Sequence, residues 1–108
     1  MNIYNNGGNM ETNTIIAEKN KIKIKKPKHY KVVMYNDDFT TMEFVVSILI
    51  DIFNKNIEEA NKVMIDVHKK GKGIAGIYPY DIAVSKLSTA MRISESEEFP
   101  LKLAIEEV

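Results

Sequence analysis

A small α+β domain is the fold that the sequence predicts: elements in the order β-α-α-β-α-β, a three-stranded antiparallel sheet covered by three helices. Three observations point to it. Apolar residues alternate with polar ones near Tyr30 and again near Leu103, two amphipathic stretches follow each other between Thr40 and Gly71, and a short glycine-bearing strand separates them from a third helical stretch. With 108 residues and 44% apolar content, the chain has room for one modest core.

The elements follow in order. Tyr30, Val32 and Met34 alternate with Lys31, Val33 and Tyr35, the period of a strand, and Asn36-Asp37-Asp38 breaks it. Thr40 with Glu43 three residues later has the form of a capping box, opening a helix with the apolar stripe Met42, Val45, Val46, Leu49, Ile50 and Phe53. Asn56 with Glu59 repeats that signal, and Ile57, Ala60, Met64 and Val67 share a face of a second helix that folds back on the first. Gly71 suits the residue after a helix end, and Gly73 to Tyr78 form a short strand. Pro79 fits the first turn of a third helix reaching about Ile93, with Ala83, Leu87, Ala90 and Met91 inward. Leu101, Leu103 and Ile105 then alternate in a last strand.

Residues 1–27 are rich in Asn, Gly and Lys and end at Pro27, so they are expected to form a disordered basic arm ahead of a core domain spanning 28–108. The zero net charge hides an asymmetry. Residues 1–28 hold six lysines against two glutamates, a net of +4, which leaves −4 for the rest. A mildly acidic body is not the basic face of a nucleic-acid binder, so no nucleic-acid partner is expected.

Other classes fall away by composition. Zero cysteines exclude disulfides, thiolate catalysis and cysteine-based zinc sites. No apolar run approaches the roughly 18 residues of a membrane span, and the N-terminus lacks a signal peptide's apolar stretch, so a cytoplasmic protein without a membrane partner is expected. Gly71-Lys72-Gly73-Ile74-Ala75-Gly76 matches G-x-G-x-x-G in letters only: these glycines end a helix and begin a strand, whereas a dinucleotide fingerprint ends a strand and begins a helix. Asp37, Asp38, Asp66 and His68 make a weak metal set, because Asp66 and His68, two apart on a helix, diverge by about 200°. The five serines of the body have no nucleophile-elbow context, so neither an enzyme nor a metal or other cofactor is expected.

The constellation that does carry chemistry is Asn36-Asp37-Asp38 in a turn, read with Met64 and His68 on the second helix. An amide, carboxylates and an imidazole beside flexible thioethers suit a ligand with a cationic head and an apolar body. A peptide's free N-terminus with a bulky first side chain is such a ligand.

Here a resemblance enters. Tyr35-Asn36-Asp37-Asp38-Phe39-Thr40-Thr41-Met42-Glu43-Phe44-Val45, followed by Met64-x-x-Val67-His68-x-x-Gly71-Lys72-Gly73, closely resembles the ClpS family, from about Lys28 onward. The resemblance implies an adaptor, expected as a monomer, that binds substrates bearing N-terminal Leu, Phe, Tyr or Trp and delivers them to a AAA+ unfoldase, ClpA or ClpC, for degradation by ClpP. It implies that Asn36, Asp37 and His68 bind the α-ammonium group. Thr40, Met42, Val45, Met64, Val67 and Leu101 would line the side-chain pocket, with Asp38 at its mouth. Asp81 and Lys86 match the family's docking surface for the unfoldase. Thr41 stands where many relatives have Pro, and Val84 where they often carry an acid. Two other readings remain beside this one: an interaction domain of the same fold that does not read N-termini, and an enzyme.

Overall fold

The computed structural model describes residues 28–108; the arm expected over 1–27 lies outside the described residues. The elements are β1 (His29–Tyr35), α1 (Met42–Asp51), α2 (Ile57–Lys70), β2 (Lys72–Pro79), α3 (Tyr80–Ser96) and β3 (Lys102–Glu107), which is the predicted order. The three strands form one antiparallel sheet in the order β2-β1-β3, with the first strand in the middle.

Period-two alternation decides which side of the sheet becomes the core. Val32 and Met34 are fully buried, and their partners across β1–β3, Ile105 and Leu103, point the same way. They pack with Val45, Ile48 and Leu49 of α1, Ala60 and Val67 of α2, and Ala83 and Ala90 of α3. In β2 the register slips by one: Val32 pairs with Gly76 but Val33 with Ile74, so Ala75 is the extra residue of a β-bulge and turns into the core.

Helix ends agree with the sequence at α2 and differ at α1. Asn56 and Glu59 form a reciprocal capping box at 2.8 and 3.0 Å, and Gly71 closes α2 in the left-handed region at φ 89. The cap of α1 is Thr41, not Thr40: its hydroxyl oxygen accepts from Phe44 N at 3.1 Å. Thr40 lies one residue earlier, in the turn, where its N–H and O–H both donate to Asp37. Phe53 lies beyond the end of α1, yet it is buried because the chain turns inward there. On α3, Met91 is exposed where the sequence had it inward. The helix runs on to Ser96, and its buried face passes through Ala83, Ala90 and Ser94, whose hydroxyl donates to Ala90 O at 2.8 Å.

One close approach fixes how α2 sits on the sheet. A methyl group on Gly73 would come within 3.0 Å of Val67 Cγ2 and 3.1 Å of the Val63 carbonyl oxygen. That oxygen belongs to the helix backbone and cannot rotate away, so a Cβ here would require α2 to give by a few tenths of an ångström. Gly73→Ala is therefore expected to destabilise the fold by about 1–3 kcal/mol, the usual cost of overpacking, measurable as a lowered midpoint in urea denaturation. An unchanged midpoint would show that α2 can shift without cost.

Candidate functional site

The site grows from the exit of β1. Asn36 N donates to Gly71 O at 2.9 Å, which ties the first residue after β1 to the residue closing α2. Because an α-helix ends within a turn of His68 here, that bond brings the acidic turn beside the imidazole. Asp37 then organises the turn. One carboxylate oxygen accepts from Phe39 N at 2.8 Å and Thr40 N at 2.7 Å, and the other accepts from Thr40 Oγ1 at 2.7 Å.

Partial burial pushes the Asp37 carboxyl up, but the hydrogen bonds from the Thr40 hydroxyl and the Thr40 and Phe39 amides outweigh it and hold the group below its ordinary 3.8. The carboxylate is thus a fixed negative charge at neutral pH, and its orientation is set before any ligand arrives.

A cavity of about 290 Å³ opens at this turn, near the lower end of the range for small-ligand sites. Asn36, Asp37, Asp38 and Thr40 line its polar side, Met42, Val45, Met64 and Val67 its apolar side, and His68 stands across from the turn. Nine of the ten residues that the resemblance implied for ammonium and side-chain binding therefore share one cavity. The tenth does not. Leu101 is buried in the core and lines a different cavity with Phe99 and Pro100, because it shares the inward phase of Leu103. His68, next to buried Val67 on α2, is exposed, and among the described residues its ring makes no hydrogen bond.

Met42 and Met64 form a wall on two sides. They line this cavity and also a shallow groove of about 390 Å³ with Glu43, Val46 and Asn61. The shape of the pocket thus depends on two flexible thioether chains.

The residues implied for docking part company. Asp81 is exposed in the first turn of α3. Lys86 is half-buried and occupied: its Nζ donates to Ile52 O at 2.6 Å and Asn54 Oδ1 at 2.8 Å, and lies 5.3 Å from the Tyr78 ring centroid. It satisfies a carbonyl at the end of α1 and steadies Asn54, a non-glycine residue at φ 57. The sequence carried no signal for this role, since the partners lie 32 and 34 residues away. Among the described residues, no group of three or more His, Cys, Asp or Glu could hold a metal ion, and no helix is long and apolar enough to cross a membrane.

The acidic turn, the imidazole and the apolar side chains thus line one cavity, the candidate site of this fold. The family model for the ATP-dependent Clp protease adaptor protein ClpS matches residues 25–104, which sets the chain in the class of protease adaptors. The ATP-dependent Clp protease adapter protein ClpS of Acetivibrio thermocellus is 47% identical over 97 residues, covering 90% of this chain and 98% of that one. Its counterpart in Clostridium acetobutylicum is 54% identical over 90 residues, covering 83% and 89%. The solved structure of Agrobacterium tumefaciens ClpS2 bound to L-phenylalaninamide superposes with a TM-score of 0.73 at 32% identity, covering 77% of this chain and all of that one. The chain belongs to the ClpS family.

The depressed pKa of Asp37 sets a pH window. Because its folded value lies below the unfolded one, Asp37 favours the folded turn at every pH above about 3.8, and that contribution disappears as pH falls through the folded value. An NMR titration should place the Asp37 midpoint below 3.8 and show it rising in Thr40→Val, which removes the hydroxyl donor. Equal midpoints in the two proteins would exclude Thr40 as the cause.

Proposed function

We propose that this protein binds the free N-terminus of substrates whose first residue is Leu, Phe, Tyr or Trp and delivers them to a Clp unfoldase, ClpA or ClpC, for degradation by ClpP. The observation that carries this reading is the shared cavity: anionic and amide oxygens and an open imidazole on one side, four apolar side chains on the other. The ligand of the Agrobacterium tumefaciens relative supports it, since L-phenylalaninamide combines a free α-amino group with an aromatic side chain.

In this reading Asn36, Asp37 and His68 accept from the ammonium group. Asp38 adds negative charge at the mouth, and Thr40, Met42, Val45, Met64 and Val67 surround the first side chain. Charge-assisted hydrogen bonds contribute about 1.5–3 kcal/mol each and burial of a Leu or Phe side chain a similar amount. After the cost of ordering a flexible peptide, a net of about 7–9 kcal/mol is reasonable, which is roughly micromolar affinity. An adaptor that must release its cargo needs no more. Docking on the unfoldase is assigned to the surface around Asp81 and Lys86, with Asp81 as the accessible charge and Lys86 shaping the loop beneath it.

Acetylating the N-terminus of a Phe-first peptide should abolish binding in a fluorescence-anisotropy titration. Equal affinity for free and acetylated peptides would leave only an interaction domain that does not read N-termini. His68→Ala should weaken binding by roughly 1.5–3 kcal/mol. It is a cleaner test than Asp37→Ala, which also removes the bonds that shape the turn.

Selectivity among apolar residues depends on Met42, whose bulk at the rim would meet a branch at Cβ. Ile- and Val-first peptides are expected to bind poorly to the wild type. Met42→Ala should admit them, because removing the thioether joins the pocket to the adjoining groove. If the wild type bound Ile-first and Leu-first peptides alike, Met42 would have no gating role.

A further inference from the structure

On the other flank of α2 lies a cavity of about 550 Å³ that the peptide site does not use. Glu59, Lys62, Val63, Asp66 and Lys70 recur at helical spacing along one stripe of α2, about 130° around the helix from Met64, Val67 and His68. The facing wall is the side of the sheet turned away from the core, with Val33, Ile74, Lys31 and Lys72.

Its floor is apolar. Val33 is only 3% exposed although it points away from the core, Val63 is half-buried, and Ile74 is 44% exposed. Its rim is cationic. Five lysines (31, 55, 62, 70 and 72) stand against three acids, and each acid already has a partner: Asp66 with Lys70 at 3.6 Å, Glu106 with Lys31 at 3.9 Å, and Glu59 in the helix cap with Asn56 N at 3.0 Å. Lys55, Lys62 and Lys72 form no ion pair among the described residues.

We infer that this cavity is a second binding site, for an acidic segment of a partner protein that inserts one apolar side chain between Val33, Val63 and Ile74 and sets its carboxylates against Lys55, Lys62 and Lys72. Charge complementarity selects that occupant. Residues 1–27 of this chain hold five lysines and two glutamates, so they meet like charge there. A nucleic acid would find no aromatic ring to stack on. The peptide site has the opposite character, an anionic mouth for a cation, so α2 separates two cavities of opposite preference that can be filled at once.

The test uses the full chain and a fluorescein-labelled, N-acetylated Asp-Glu-Leu-Asp-Glu peptide, whose blocked N-terminus keeps it out of the ammonium site. Saturable binding is expected, weakening as salt rises from about 0.05 to about 0.5 M. It should fall at least tenfold in Lys62→Glu/Lys72→Glu and severalfold in Ile74→Ala, and a saturating Phe-first peptide should leave it unchanged. Both lysines are exposed, so the double variant should fold and keep its affinity for the Phe-first peptide, which separates failure here from failure of the ammonium site. The inference is overturned by absent or non-saturable binding, by equal affinity in the double variant, or by displacement with the Phe-first peptide. Tighter binding of a single-stranded oligonucleotide would overturn it in favour of nucleic acid. Self-association abolished by the double variant would make a second copy the occupant.

Discussion

The hydrogen bond from Asn36 N to Gly71 O is the link on which the site depends. It joins two chain ends that the sequence leaves 35 positions apart, the exit of the middle strand and the exit of α2. Two glycines on the α2 side of this meeting serve it for different reasons. Gly71 must take a positive φ to end the helix, where an L side chain would cost about 1–2 kcal/mol, and Gly73 must lack a Cβ so that the helix can lie against β2. Met64, Val67 and His68 ride on that helix, so their distance from the acidic turn follows from backbone packing rather than from direct side-chain contact.

The turn itself is ready before a ligand comes. Asp37 spends its hydrogen-bonding capacity mainly on the loop that holds it, accepting from three donors. Such a carboxylate keeps its charge and position when the site is empty, so little reorganisation is required on binding. The apolar side is the reverse: Met42 and Met64 are flexible chains that can follow the outline of different first residues. A rigid polar half combined with an adaptable apolar half fits recognition of one head group attached to several side chains.

Much of this was legible in the sequence because it is local. Asn56 with Glu59, Gly71 after a helical stripe, and the alternation at Val32–Met34 and Leu103–Ile105 each carry their own structural signal within a few residues. What the sequence misplaced depended on competition or distance. Thr40 and Thr41 both can cap a helix, and the structure uses Thr41 while Thr40 donates back to Asp37. Leu101 is implied in the pocket by family resemblance alone, and the structure buries it in the core beside the cavity that Phe99 and Pro100 line. Lys86 looks like a surface charge in sequence, while its partners Ile52 and Asn54 come from another loop altogether. The second cavity was invisible for the same reason, since its lysines come from β1, β2, α2 and the loop before it.

The position of β1 in the middle of the sheet has a consequence for how the protein comes to be folded. Its partners in β3 are 67 to 77 positions further along the chain, and the His29 carbonyl accepts from Val108 N at 3.0 Å. Closing so long a loop costs little more at equilibrium than closing a short one, because each doubling of length adds only about 0.6 kcal/mol. It matters for rate, since non-local pairing slows folding even when stability is ordinary. During synthesis β1 emerges first and cannot complete its pairing until β3 has been made, so one edge of the first strand waits through the translation of everything between them.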